Sequence, residues 1–326
     1  MKKITLLILA MFPLLFLVSC KKNNKYEDET YNIVVANATI PPMMSVLDAI
    51  DNGNKTIMWY GRPNTFYSTG VLKDQFSFTN KVDQEEISGI PGDVISEIKN
   101  KVLDIYYQSK EKAKFNLYVV DYGIKVPLQI FVENNIKEEN YKVFLLEDGT
   151  GSYEQFINVD KFAQEDGKKR FDEALNKLDT LIEDIKKGSY KWENLGNERN
   201  WEYSYAYATK SNVEYWLQYP EALTSKDEEM QKLLDNKTIN FKKQKLTSMF
   251  DKLSKENKEK FKNVILDIDK FDSMINLNNG KDVLIVTGTS YDGEEIGFVD
   301  GKKGDLELEF VMDKIIEQYG ETHNIL

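Results

Sequence analysis

A pair of acidic residues, Glu147 and Asp148, ends the most strand-like stretch of the chain, and Gly149 and Thr150 follow it directly. The preceding residues, 141–146, are mostly apolar and β-prone, which is typical of a buried parallel strand. In open α/β sheets, ligands bind beyond the carboxyl ends of the strands, so two carboxylates placed there are candidates for acid–base chemistry. Asp-Gly is also common turn chemistry, and a plain strand-to-loop turn is the alternative interpretation.

Two other turns carry groups that suit an anion. Arg62 follows a strand-like stretch, 55–60, where its guanidinium could bind an anionic group or simply be solvated. A small hydroxyl-rich turn follows a further apolar stretch, Asp282–Val286, and amides and hydroxyls in such a turn can face an anion. The residues of this turn are Thr287, Gly288, Thr289 and Ser290. Alone, the turn is a weak signal.

The amino-acid inventory excludes several kinds of site. Among its 326 residues the chain has one histidine, His323, and one cysteine, Cys20, so a Ser-His-Asp triad at a strand end, a multi-histidine metal site and an intrachain disulfide are not available. The formal net charge of −11 argues against nucleic acid as a partner, because phosphate neutralisation needs a basic face. Any chemistry must therefore use carboxylates, hydroxyls, amides and backbone groups, and we expect no metal or cofactor.

The N-terminus has the character of a processing signal. Lys2 and Lys3 precede an apolar run, 4–18, which is shorter than the ~20 residues that a membrane-spanning helix needs. The run closes with Leu-Val-Ser-Cys at 17–20, which resembles the bacterial lipobox. That resemblance implies a lipoprotein signal peptide over 1–19, a lipid on Cys20, a polar tether over 20–30 and a location on the bacterial cell membrane outside the cytoplasm. An ordinary N-terminal anchor with a chance cysteine is the alternative.

Strand-like and helix-like stretches alternate through the first half of the chain. Strands are predicted at 32–36, 55–60, 115–121 and 141–146, and helices after Pro42, from Pro91 to about 107, and over 124–134. Residues 64–88 show no regular pattern. Because the connections are short, the alternation predicts parallel βαβ units and an α/β fold.

The second half changes character. A long amphipathic helix is predicted over 161–187, and charged helical residues over 224–278. Between them, 190–220 is rich in tyrosine and tryptophan, for which packing in a core or interface is favoured over stacking on a ligand. A fresh strand at 282–286 and a helix at 306–319 then predict the first part of a second αβ lobe.

Five short motifs follow one another along the chain. They are Ile-Val-Val-Ala-Asn-Ala-Thr-Ile-Pro at 33–41, Trp-Tyr-Gly-Arg at 59–62, Glu-Asp-Gly-Thr-Gly-Ser-Tyr at 147–153, the helical segment Tyr-Trp-Leu-Gln-Tyr-Pro at 215–220, and Val-Thr-Gly-Thr-Ser-Tyr-Asp-Gly at 286–293. In order and spacing they resemble the motifs of the bacterial sialyltransferases of GT-B fold. The resemblance covers about 31–320. It implies a Rossmann-like parallel-sheet domain of a GT-B glycosyltransferase with helical additions, and transfer of sialic acid from CMP-sialic acid to a galactoside.

The resemblance also implies roles for the residues singled out above. Asp148 matches the family's general base, while Glu147, Gly149 and Thr150 match its neighbours around the donor sugar, and Arg62 matches an arginine on the acceptor side. On the nucleotide side, the matching positions are Thr287, Gly288, Thr289 and Tyr291, the last in place of a tryptophan that folds over the site. The implied partners are a sugar nucleotide and a glycan acceptor.

The chain departs from the family's pattern at three places. Gly89-Ile-Pro-Gly92 stands where the family has an asparagine, Asp121-Tyr-Gly123 where it has a histidine, and the family's later Lys-Gly-His-Pro motif is not found. We therefore expect an acceptor-side domain over 31–278, an incomplete donor domain over 279–326, a possible separately encoded C-terminal half, and weak or no transfer by this polypeptide alone. The alternative is a membrane-tethered glycan- or solute-binding lipoprotein without catalysis.

Overall fold

A sheet of seven parallel strands forms the framework of the protein in the computed structural model. Its strands are β1 Thr30–Ala36, β2 Lys55–Tyr60, β3 Phe76–Phe78, β4 Lys114–Val120, β5 Tyr141–Leu146, β6 Val213–Leu217 and β7 Phe241–Lys243. Their order across the sheet is β3-β2-β1-β4-β5-β6-β7, and every neighbouring pair is parallel. The structure describes residues 29–62, 65–79, 90–156, 162–192, 201–267, 281–284, 298–299, 302–303 and 308–325.

This strand order reverses direction between β1 and β4. From β1 the chain adds β2 and β3 on one side, and from β4 it adds β5, β6 and β7 on the other. In doubly wound sheets such a reversal opens a crevice at the carboxyl ends of the two central strands, where ligands bind. The predicted α/β fold with a parallel sheet is confirmed.

Helices connect the strands and cover the sheet. They are α1 Ile40–Asn52, α2 Gly92–Gln108, α3 Lys125–Pro127, α4 Gly167–Lys186, α5 Trp201–Tyr207, α6 Glu228–Asp235, α7 Leu246–Lys252 and α8 Lys255–Ile265. Prolines occupy the first turn of α1 and Pro91 directly precedes α2, as predicted, because a proline lacks the N–H that a first turn leaves unbonded. The stretch predicted as a helix over 124–134 forms α3 and a π-helical turn, Leu128–Val132.

The core lies mainly between the sheet and the helices that follow β3, β4 and β5. Ile33, Leu117, Val143 and Val213 are opposite one another on neighbouring strands, and all four are fully buried. Side chains of α2 and α4 and of the π-helical turn pack against this row, whereas α1 packs against β1, β4 and α7. Both faces of the central strands are covered, and the sequences of these strands are therefore nearly continuous apolar runs.

Three of the strands correct the sequence analysis. The irregular stretch 64–88 contains β3, the segment 215–220 predicted as helical begins inside β6, and the helical stretch 224–278 contains β7. In β6, Val213, Tyr215 and Leu217 belong to the main core while Glu214 and Trp216 lie on the other face. Such alternation between two faces is typical of a strand. Over only five residues it is easily mistaken for part of an aromatic stripe on a helix.

A second structural unit comprises Ile265–Leu326. Its described elements are β8 Asp282–Leu284, β9 Phe298–Val299, β10 Lys302–Lys303, α9 Leu308–Tyr319 and β11 His323–Ile325. β11 pairs in parallel with β8, and His323 lies opposite Asp282, so the strand and helix predicted there belong to a βαβ arrangement. The predicted domain boundary at 278/279 falls outside the described residues. Within the described part of the whole chain, no helix combines the length and apolar character that crossing a bilayer requires.

Candidate active site

The carboxyl ends of β1, β2, β4, β5 and β6 bring polar side chains to one edge of the sheet. Asn37 follows β1, Arg62 follows β2 after Gly61, Asp121 follows β4, Glu147 and Asp148 follow β5, and Gln218 follows β6. Because the strands are parallel, all these residues lie at the same edge, and those after β1 and β4 flank the crevice where the strand order reverses.

Glu147 is buried and holds two loops together. Its side chain is 2% exposed, and its carboxylate accepts hydrogen bonds from the Tyr153 hydroxyl at 2.5 Å, the Gln218 backbone N–H at 2.6 Å and the Gln218 side-chain amide at 2.5 Å. Burial, together with the Glu147 carboxylate, raises the pKa of Tyr153, so this hydroxyl remains a donor. Glu147 therefore links the loop after β5 to the loop after β6.

Asp148 is the member of the acidic pair that reaches the surface. It is half-buried, and its backbone N–H donates to the Ser152 hydroxyl at 2.7 Å, which closes the turn that begins the 3₁₀ segment Gly149–Phe156. Thr150, next in this turn, is exposed. A half-buried aspartate on a closed turn at the carboxyl end of a strand is placed where a base could meet a bound hydroxyl.

The geometry of this turn favours glycine at both positions where it occurs. Gly149 has φ +77°, a left-handed backbone that a residue with a side chain adopts only at a cost. A Cβ at Gly151 would come within 2.7 Å of the Trp201 ring, so Gly151 allows the indole to lie directly on the turn. The glycines thus shape the turn that carries Asp148.

Asp121, at the end of β4, is a site residue that the search for chemistry-bearing turns missed. Its carboxylate is fully buried and accepts hydrogen bonds from the Trp201 indole N–H at 3.0 Å, its neighbour Tyr122's backbone N–H at 2.8 Å and the Tyr215 hydroxyl at 2.6 Å. Burial raises the pKa of Asp121 to about 6, against the opposing effect of hydrogen bonds from Ser152, Tyr215 and Trp201, and the negative charge of Asp148 raises it further. Asp121 and Asp148 follow neighbouring strands at the same edge of the sheet.

The aromatic segment 190–220 supplies much of this environment. Tyr205 and Tyr215 are fully buried, as the core interpretation predicted, yet their hydroxyls also reach the turn. The Tyr205 hydroxyl donates to the backbone carbonyl of Ser152, and the Ser204 hydroxyl donates to that of Asp121. The segment is therefore both core and scaffold of the site.

The remaining predicted site residues are placed as follows. Arg62 is exposed, just beyond Gly61, where a Cβ would lie only 2.5 Å from the Asn37 side-chain oxygen, so the turns after β1 and β2 touch. Ala38 in the first of these turns has φ +62°, a strained backbone of the kind found near ligand sites. The other predicted residues lie outside the described part of the chain: Cys20, Thr287, Gly288, Thr289 and Tyr291.

The signals for the missed residues differ. Asp121 ends a strand and begins Asp-Tyr-Gly, a pattern close to that of Glu147-Asp148-Gly149, and the same reasoning about strand ends would have found it. Trp201 and Tyr215 come from 80 and 94 positions away along the chain, and no local pattern marks them. Among the described residues, no group of three His, Cys, Asp or Glu side chains is arranged to hold a metal ion.

No protein-family profile matches the chain, and no curated protein matches it in sequence. Solved structures match its fold. A 2,6-sialyltransferase from Photobacterium sp. JT-ISH-224, in a complex with the donor product CMP and the acceptor lactose, is similar with a TM-score of 0.58 and 15% identity, over 81% of this chain and 51% of that one. The fold is that of the bacterial GT-B sialyltransferases.

Two further solved structures have a similar fold. The GT-B domain of a sialyltransferase from Photobacterium damselae matches with a TM-score of 0.58 and 12% identity, over 91% of this chain and 80% of that one. An α/β-galactoside α-2,3-sialyltransferase from Photobacterium phosphoreum matches with a TM-score of 0.55 and 13% identity, over 79% of this chain and 65% of that one. The chain spans about half the length of the first relative and 65% of this last one. At such identities the likeness shows the fold, which confirms the predicted fold class.

Proposed function

We propose that this protein is a sialyltransferase-like glycosyltransferase that transfers sialic acid from CMP-sialic acid to a galactoside, with Asp148 as its general base. The observation that carries the proposal is the position of Asp148: a half-buried aspartate at the carboxyl end of β5, beside the crevice of a sheet with the GT-B sialyltransferase fold. The crystallised relative that holds CMP and lactose supports a sugar nucleotide and a galactoside as the two substrates.

In the proposed reaction, an acceptor hydroxyl attacks the anomeric carbon of the sialic acid. The new C–O bond forms as the bond from that carbon to the CMP phosphate oxygen breaks, and CMP leaves with the bonding electrons. The hydroxyl proton passes to the Asp148 carboxylate, which acts as the base. A well-placed general base contributes about 10²–10⁴-fold to such a rate.

The neighbouring residues take complementary roles in this proposal. Glu147 holds the turn through its three hydrogen bonds rather than meeting a substrate, because donors from this chain occupy both of its oxygens. Thr150 and Arg62 are exposed at the same edge and contact the donor sugar and the acceptor side, respectively. On the nucleotide side we assign Thr287, Gly288, Thr289 and Tyr291, and we expect neither a metal nor another cofactor.

The test is sialyl transfer by the full chain. Purified wild-type protein is incubated with CMP-sialic acid and lactose, and sialyl-lactose is quantified by mass spectrometry for wild type, Asp148→Asn and the control Glu154→Gln. Glu154 is an exposed carboxylate in the same 3₁₀ segment. We expect slow transfer by wild type, a loss of at least about 100-fold in Asp148→Asn because the base is removed, and a rate within about twofold of wild type in the control.

Equal transfer rates in all three proteins would contradict the role of Asp148. Lactose binding by wild type without any transfer, and unchanged in Asp148→Asn, would instead favour the glycan-binding lipoprotein without catalysis. For either function we propose the same location. A lipid on Cys20 and a polar tether over 20–30 hold the protein to the bacterial membrane, outside the cytoplasm.

A further inference from the structure

We propose that Asp121 is a positioning residue for the base: its buried carboxylate fixes the turn that carries Asp148, acting through Tyr215 and Trp201. This inference rests on the role of Asp148 in the proposed function. It concerns a buried carboxylate that the proposed reaction itself does not use.

The first step of the argument is that two side chains connect Asp121 to the turn. The backbone N–H of Asp148 donates to the Ser152 hydroxyl oxygen at 2.7 Å, and Ser152 is fully buried. The Tyr215 hydroxyl donates to the Asp121 carboxylate at 2.6 Å and lies 3.5 Å from the Ser152 backbone carbonyl oxygen. The Trp201 indole, which donates to the same carboxylate, lies against Gly151 of the turn.

The second step is that Asp121 is itself held rigidly. The Trp201 indole and the Tyr215 hydroxyl bind its two carboxylate oxygens, and the Ser204 hydroxyl binds its backbone carbonyl. Its backbone N–H donates to the Leu146 carbonyl at 2.9 Å, directly before the acidic pair. A group anchored on α5, β5 and β6 can transmit that rigidity to the turn, as precise placement of catalytic groups requires.

The third step is charge. The groups that meet Asp121 through their side chains are all donors, so the arrangement fits an ionised carboxylate, which only accepts. The titratable groups that face it are Asp148 from the turn after β5, Tyr205 from α5 and Tyr215 from β6. Repulsion between two carboxylates favours the proton on each of them, and the charge of Asp148 accordingly contributes to the raised pKa of Asp121.

The test compares Asp121→Asn and Ser152→Ala with the control Asp48→Asn in the full chain. Asp48 is a half-buried carboxyl group on α1 that accepts a hydrogen bond from Tyr118, so the control removes a partly buried carboxylate away from the turn. Hydrogen exchange of residues 147–152 at pH 7 reports the turn directly, and steady-state sialyl transfer reports its effect on the reaction. Tyr215→Phe, which removes one donor and leaves the carboxylate, is the second route should Asp121→Asn fail to fold.

We expect the Asp148 amide to exchange at least about tenfold faster in Asp121→Asn and Ser152→Ala than in wild type or the control, because its partner is lost or loosened. We expect kcat to fall about tenfold or more while KM for lactose stays within about twofold, since a misplaced base affects the chemical step and not binding.

Unchanged exchange in Asp121→Asn would overturn the inference whatever the activity, and so would faster exchange with an unchanged kcat. Faster exchange in a protein whose wild type transfers no sialic acid would support the link from Asp121 to the turn while contradicting the proposed function.

Discussion

Replacing Asp121 by asparagine should remove the contribution of one titrating carboxyl group to the pH dependence of the free energy of unfolding. In the folded protein burial raises the pKa of this carboxyl group from 3.8 to about 6. Between these two values the folded state holds a proton that the unfolded chain has released, so stability from this group is fully present below about pH 4 and is lost as the pH rises through about 6. At 1.36 kcal/mol per pKa unit, the difference amounts to about 3 kcal/mol.

The assay is urea unfolding of wild type and Asp121→Asn at several pH values from 4 to 7. Asparagine nearly matches the shape of aspartate and cannot titrate, so subtracting the two unfolding free energies cancels the other carboxyl groups. We expect the wild type to gain about 2.4 kcal/mol relative to the variant as the pH falls from 7 to 4, because at pH 4 the unfolded chain is still partly ionised. Asp251→Asn, which removes an exposed carboxyl group, serves as the control and should follow the wild type. Parallel stability curves for wild type and Asp121→Asn would refute the reasoning.

Two further predictions concern the turn and the anchor. Gly151→Ala should lower the unfolding free energy by about 1–3 kcal/mol and shift the Trp201 indole N–H resonance, because a Cβ there would lie 2.7 Å from the ring; an unshifted resonance would show that the indole does not lie on the turn. Cys20→Ser should abolish incorporation of a fatty-acid label and release the protein from the membrane fraction of a lipoprotein-processing bacterium, whereas labelling that persists in the variant would contradict lipidation at Cys20.

The parts of the fold predicted from the sequence are those with a complete local signal. β2 and β5 have the predicted bounds because each is a buried apolar run with a clear turn after it. β6 was missed because its aromatic residues continue the composition of the segment before it, and only pairing with β5 reveals it as a strand. β3 and β7 have three residues each, too few for a periodicity to show.

In the candidate site, too, some residues have a local sequence signal and others depend on tertiary structure. The sequence predicts a role for Asp148 because the residues around it form one continuous motif at a strand end. Asp121 gained its character from burial and from Trp201 and Tyr215, which tertiary structure brings to it from other elements. Glu147 is buried against Gln218, whereas its neighbour Asp148 is half-buried. This difference depends on the loop after β6, which is not part of the local sequence of the turn.

The most direct test of the central claim is the initial rate of sialyl-lactose formation by the full chain and by Asp148→Asn under identical conditions. If the Asp148 carboxylate takes the acceptor proton, wild type forms sialyl-lactose from CMP-sialic acid and the variant does so at least about 100-fold more slowly. Formation at the same rate by both proteins would contradict the assignment of Asp148 as the base.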